Sequence, residues 1–178
     1  TSDFLISESY SEFWATILNS CFCAFSFLKK GEGLDDFILY AEFCIYIEKM
    51  FSLFQCIKIL DFMNLKYDHL WLKDKISESY RNILYKENTN VFSYYILKLV
   101  LLNNSDDFFI WCYKNNTNIL HFDSSEFLFN KFYLFILKNY KSKFLLDNLK
   151  KMETKMLKLK NKRLLKTMKM TICDYNIN

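Results

Sequence analysis

An all-α fold is predicted, a helical bundle of eight or nine helices, and three observations predict it. The 178-residue chain has no proline and two glycines, too few for the tight turns of a sandwich, a barrel or a glycine-rich phosphate loop. It is 52% hydrophobic and 19% aromatic, so it must fold, and at this length folding buries roughly 70% of the unfolded surface. Apolar residues recur at helical spacing between short polar breaks.

Ser9 with Glu12 three residues on has the form of a capping box, and the apolar run Phe13 to Leu28 behind it reads as one long or two short helices. That run is the longest stretch without charge, sixteen residues, and it includes Asn19, Ser20 and Ser26. A membrane-spanning helix needs about 20 apolar residues. No basic segment precedes the run, so no signal peptide is read, and a chain opening on Thr1 reads as a cut or processed product. Gly31 and Gly33 end the first helix. Asp35 and Asp36 open the next, with Phe37, Ala41, Cys44 and Ile45 on one face and Glu42 and Glu48 on others. Phe51 to Met63 is a further apolar segment and Leu70 to Tyr85 another, richer in charge. Asn88 to Asn90 breaks the chain before Phe92, Tyr95, Ile96, Leu99 and Leu102 resume helical spacing. After a short break at Asn103 to Asp107, Phe108 to Tyr113 makes a turn or two of helix, followed by a loop from Lys114 to Asn118. Asp123 with Glu126 repeats the capping-box pattern and starts a helix through Tyr140. Leu145, Leu149, Met152, Met156 and Leu159 then mark one stripe of a last, basic helix.

Charge divides the chain. Residues 141–170 carry eleven Lys or Arg against two acids, the remainder thirteen against eighteen. An acidic helical body over 1–140 and a basic helical extension over 141–178 are expected. Lys150, Lys151, Lys155, Lys158, Lys162, Arg163 and Lys166 form the candidate basic surface, suited to phosphate, membrane headgroups, nucleic acid or an acidic partner. Lysine outnumbers arginine there and the tail from Lys150 to Met170 lacks aromatic residues, which argues against single-stranded RNA. Otherwise it is a solvated helix. Of the six cysteines, five lie in apolar runs and behave as small apolar residues, so all are expected reduced, Cys44 and Cys56 inaccessible, and the protein cytoplasmic. Cys21 and Cys23 lack metal-ligand spacing, and His69 and His121 have no partner motif, so no metal site, cofactor or small-molecule substrate is read. A catalytic triad lacks a base. Asp35, Asp36, Asp106 and Asp107 pair at helix starts, where acids more often cap than catalyse.

From Phe27 the chain runs Phe-Leu-Lys-Lys-Gly-Glu-Gly-Leu-Asp-Asp-Phe-Ile-Leu-Tyr-Ala-Glu-Phe. This resembles the regulator of G-protein signalling (RGS) family, where a short helix ending Phe-Leu leads through an acidic loop to an amphipathic helix with an aromatic and a glutamate. Leu70 and Leu72 look like the family's next loop, and Phe92, Tyr95, Leu99, Leu102, Asp106, Phe108 and Trp111 like its last characteristic block, so the pattern spans about 13–112. The resemblance implies a bundle that grips the switch regions of a GTP-bound Gα subunit. The family's loop acid and asparagine fall on Asp35 and Asp36, its second loop asparagine on Trp71, and its late aspartate on Asp106. Carboxylate and indole cannot both donate and accept as an amide does. The resemblance therefore implies a docking or scaffolding module rather than an accelerator of GTP hydrolysis. Capping is the alternative role of the three aspartates.

A protein partner is accordingly expected, a G protein or a subunit of a scaffold complex; a structural helical subunit is the alternative. Nineteen Phe and twelve Tyr exceed what one small core covers, leaving apolar surface for contact. Phe37, Ala41, Cys44, Phe92, Tyr95, Leu99 and Trp111 are expected to meet in one buried cluster.

Overall fold

The computed structural model describes residues 5–122, 125–158, 165–166 and 168–174. Among them are seven α-helices and no strand: α1 (Ile6–Phe27), α2 (Leu34–Phe62), α3 (Lys75–Leu84), α4 (Lys98–Asn103), α5 (Ser105–Asn115), α6 (Glu126–Asn139) and α7 (Lys143–Met156). A 3-10 turn, Tyr67–Leu70, precedes α3, and a π-helical segment, Phe92–Leu97, runs directly into α4. No helix among the described residues is long and apolar enough to cross a membrane.

α1 and α2 form an antiparallel hairpin. The turn between them uses Gly31 at φ 97°, the left-handed region that favours glycine. α2 opens with the Asp36 carboxylate accepting the Gly33 N–H at 2.9 Å. It runs 29 residues without a break, so the two apolar segments read separately in the sequence are one helix. Its end is built by Asn64 in the left-handed conformation, φ 56°. The Leu65 N–H reaches back to the Leu60 carbonyl at 2.7 Å and the Asn64 N–H to that of Asp61 at 2.9 Å. This is a Schellman stop, and Leu60 and Leu65 supply its apolar contact in the core.

The π-helical segment and α4 form the centre. Every residue from Ile96 to Leu102 is buried, and the two sides of this rod serve two different cores. Ile96, Leu99 and Val100 join Leu53, Cys56, Ile57 and Leu60 of α2 and Leu145, Leu149 and Met152 of α7. Leu97, Leu101 and Leu102 join Tyr10, Phe13, Trp14 and Ile17 of α1, Phe108 and Cys112 of α5, and Phe132 and Ile136 of α6. The second core is aromatic: Phe13 meets Phe108 edge-on at 4.8 Å, and Tyr10 packs against Phe108 and Phe132 in the same way. Tyr10 donates its hydroxyl to the Ile119 carbonyl and accepts from Asn116 Nδ2 at 2.7 Å.

Several sequence expectations change. The seven residues expected in one cluster divide. Leu99 lies in the first core, Trp111 stacks on Phe108 at the edge of the second, and half-buried Phe92 touches both. Ala41 and Cys44 are buried in the hairpin outside both, and Phe37 and Tyr95 are half-buried. The cause is the unbroken α2, which carries its first half away from the cores. The helix predicted to start behind a Ser9 box begins at Ile6, and Ser9 donates its hydroxyl back to the Ile6 carbonyl at 2.6 Å. α5 is longer than the turn or two expected. Ser125 caps α6, and Asp123 lies outside the described residues. Residues 143–156 are continuous with the body, because the apolar stripe of α7 enters the first core; Leu159 lies outside the described residues.

Candidate functional site

Asp35 is exposed in the first turn of α2, and Asp36 is occupied in the cap just described. Trp71 closes the 3-10 turn beyond the far end of α2 and packs against the first core, its buried Nε1 without a hydrogen-bond partner. That core meets α2 no earlier than Met50, so at 1.5 Å per residue the part of α2 that it covers begins about 21 Å from Asp36 along the helix axis. Asp106 is exposed in the first turn of α5 and accepts the Ser105 hydroxyl at 3.0 Å. Asp36 and Trp71 thus lie toward opposite ends of α2. Lys150, Lys151, Lys155 and Lys158 are exposed on α7 and the turn after it, and Lys166 is exposed; Lys162 and Arg163 lie outside the described residues.

The strongest concentration of polar chemistry lies elsewhere, in residues that sequence reasoning passed over. Glu48, Gln55 and Lys98 are 1%, 2% and 3% exposed. Each points between α1, α2 and α4 at one non-helical segment, residues 168–174. Glu48 Oε1 accepts from the Thr171 hydroxyl, the Ile172 N–H at 3.0 Å and the Cys173 N–H at 2.9 Å. Gln55 Nε2 donates to the Lys169 carbonyl at 2.6 Å and Lys98 Nζ to that of Met170 at 3.0 Å. From α1, Asn19 Nδ2 donates to the Cys173 carbonyl at 2.6 Å and to Thr171 Oγ1 at 3.2 Å.

Burial and neighbouring carboxylates act on Lys98 and Cys173 in this cleft. Burial pulls the Lys98 ammonium below its ordinary range, while the carboxylates of Glu12, 3.9 Å away, and Glu48 oppose that shift. Burial pushes the Cys173 thiol well up, with the Glu48 carboxylate adding to it, so this thiol stays protonated at neutral pH. The hydroxyl and thiol beside the Glu48 carboxylate, those of Thr171 and Cys173, belong to the bound segment itself. Among the described residues no three His, Cys, Asp or Glu side chains group as metal ligands do. What the arrangement can do is satisfy the main chain of a non-helical segment in a buried setting.

The signal for Glu48 was present. It lies four residues after Cys44 and seven after Ala41, on their buried face, and not on another face as expected from its charge. Lys98 sits inside the run Ile96 to Leu102. No protein-family model, no curated protein and no solved structure matches this chain.

Proposed function

We propose that this chain is a non-catalytic protein-interaction module, docking or scaffolding through the outer faces of the α1–α2 hairpin. One observation carries this reading: an apolar helix is covered over only half its length. A helix apolar all round belongs in an interior. α2 is interior from Ser52 to Leu60, where every residue but Phe54 is buried, the polar Ser52, Gln55 and Lys58 included. In its first half Leu39, Phe43 and Tyr46 stand exposed at i, i+4 and i+7, turned away from Ala41, Cys44 and Glu48. Leu18, Phe22 and Phe25 form the matching stripe on α1, turned away from Ser20 and Ala24. With Phe27 and Leu34 at the tip, both faces together expose on the order of 800 Å² of side chain, about half of that on each face, so that only the two combined match what one partner contributes to a standard interface. Two such faces on one arm fit a segment inserted into a protein assembly.

The RGS-like reading, with its bundle of eight or nine helices, enters here as a divergent member that docks without accelerating hydrolysis. Carboxylates at Asp35 and Asp36 and an indole at Trp71 replace the family's amides, and the separation of Asp36 from Trp71 opposes a single grip on a switch segment. The two-sided arm favours a second reading as well, a structural subunit of a larger complex.

Single-turnover GTP hydrolysis by Gα subunits should be unchanged when the chain is added. Acceleration that disappears in Asp106→Ala overturns the non-catalytic assignment. For the contact surface, photo-crosslinkers at Phe22 and Phe43 should capture one common protein at fixed stoichiometry, while a crosslinker at exposed Lys86 should not. Equal capture at all three positions, or none, removes the hairpin as the docking surface.

A further inference from the structure

We propose that the cleft between α1, α2 and α4 is a binding site for the main chain of a non-helical peptide. Residues 168–174 are its resident ligand. They are exchangeable for a peptide in trans that carries a hydroxyl at the position of Thr171 and a small side chain at that of Cys173. This site is separate from the hairpin faces and does not depend on them.

The resident is held by its backbone. Gln55, Lys98, Glu48 and Asn19 take up five main-chain groups: the carbonyls of Lys169, Met170 and Cys173, and the N–H groups of Ile172 and Cys173. Met168, Lys169, Ile172 and Asp174 are exposed, so the cleft does not read them, whereas Met170 borders its void. Thr171 and Cys173 are the half-buried exceptions. The Thr171 hydroxyl donates to Glu48 and accepts from Asn19, which requires a group with both functions. The Cys173 thiol lies against the Cys44 carbonyl at 3.8 Å, leaving little room for a longer side chain. The fit is close, with a residual void of about 10 Å³ between Glu48, Gln55, Lys98 and Met170. It is also incomplete, because buried Gln55 Oε1 is left without a partner.

The cleft cannot stand empty at low cost. Buried Glu48 would lose three donors at once, and an ionised group without partners in such a place is strongly disfavoured. Dissociation is therefore coupled to replacement. One segment leaves as another arrives, and selectivity rests on the Thr171 and Cys173 positions.

The test keeps the whole chain. A specific protease site is inserted after Lys158 and cut in the folded protein, which ends the competition from the tethered segment. A fluorescent peptide, Lys166 to Asp174, is then added and followed by anisotropy, with circular dichroism reporting the fold. Exchange is expected, with binding weakened roughly tenfold or more by Thr171→Val or Cys173→Arg in the peptide and within about threefold of the parent for Met168→Gln and Ile172→Lys. Absence of exchange in a folded, cut protein overturns the proposal, as does unfolding on cutting or selectivity for the exposed side chains. If the insertion itself prevents folding, the unaltered chain serves: excess peptide with Ser in place of Cys173 should raise the alkylation rate of the chain's own Cys173, read by mass spectrometry. An unchanged rate at millimolar peptide rejects the exchange.

Discussion

Three donors converge on one oxygen of Glu48, a residue with almost no contact with solvent. Such a group is safe only while all its partners are present, since a charge or dipole stranded in a dry setting keeps its full desolvation cost. Glu48→Ala should therefore lower unfolding stability by about 3 kcal/mol, and Glu48→Gln by clearly less, because the amide oxygen can still accept from the Ile172 and Cys173 N–H groups. Urea unfolding of the three proteins measures this; equal loss in both variants would mean that hydrogen bonding is not what Glu48 provides. Glu48 also shows why some of the site was hidden in the sequence. Helical spacing puts it on the Ala41 and Cys44 face, yet an acid is almost never fully buried unless its partners are known. Those partners are 123 to 125 residues away and carry no periodic signal. Asp36 was legible for the opposite reason: its partner, Gly33, is local.

Local signals also governed the elements. The Asn88 to Asn90 break, the Gly31 turn and the helical spacing of the π segment with α4 could all be read from neighbouring residues. Helix starts were read less well, because any Ser or Asp three residues before Glu fits the box pattern, while the residue used depends on where the chain enters the core. Ser125 and Ser142 are the working caps of α6 and α7, accepting from Leu128 N–H at 3.4 Å and Leu145 N–H at 3.3 Å. Ser142→Ala should cost about 1 kcal/mol, as should Ser125→Ala. The loss should appear in thermal or urea unfolding, and Ser→Asp at either position should retain most of the stability. If Ser142→Ala is neutral, α7 is held by its Leu145, Leu149 and Met152 contacts alone. The unity of α2 was hidden differently. With apolar residues on every side it has no single stripe to join its halves, so the sequence reads as two segments where the backbone is one helix.

Across the whole molecule, the helical class was legible because it needs only composition and period, whereas the division into two cores was not, since it depends on which side of α4 each distant helix occupies. One consequence of so much burial is shared by all six thiols. Cys21, Cys23, Cys44, Cys56, Cys112 and Cys173 are all free, and desolvation raises every one above the ordinary thiol value, Cys112 to about 11. Burial raises Tyr10, Tyr67 and Tyr85 as well. The folded chain therefore keeps protons that the unfolded chain releases once the pH passes about 9, and stability must fall from there upward. Lys58 and Lys98 act in the opposite sense: burial lowers them, the unfolded chain binds the extra protons below 10.5, and their contribution improves as the pH rises toward that value. Six thiols outweigh two lysines, and the tyrosines add to the loss from about pH 10. The urea midpoint should hold steady from pH 7 to 8.5 and then decline with increasing slope. In Cys56→Ala with Cys112→Ala the midpoint at neutral pH should be lower, because two buried sulfur atoms are gone, but its decline above pH 9 should be shallower. An unchanged slope in that double variant would assign the alkaline loss to the other four thiols and the tyrosines.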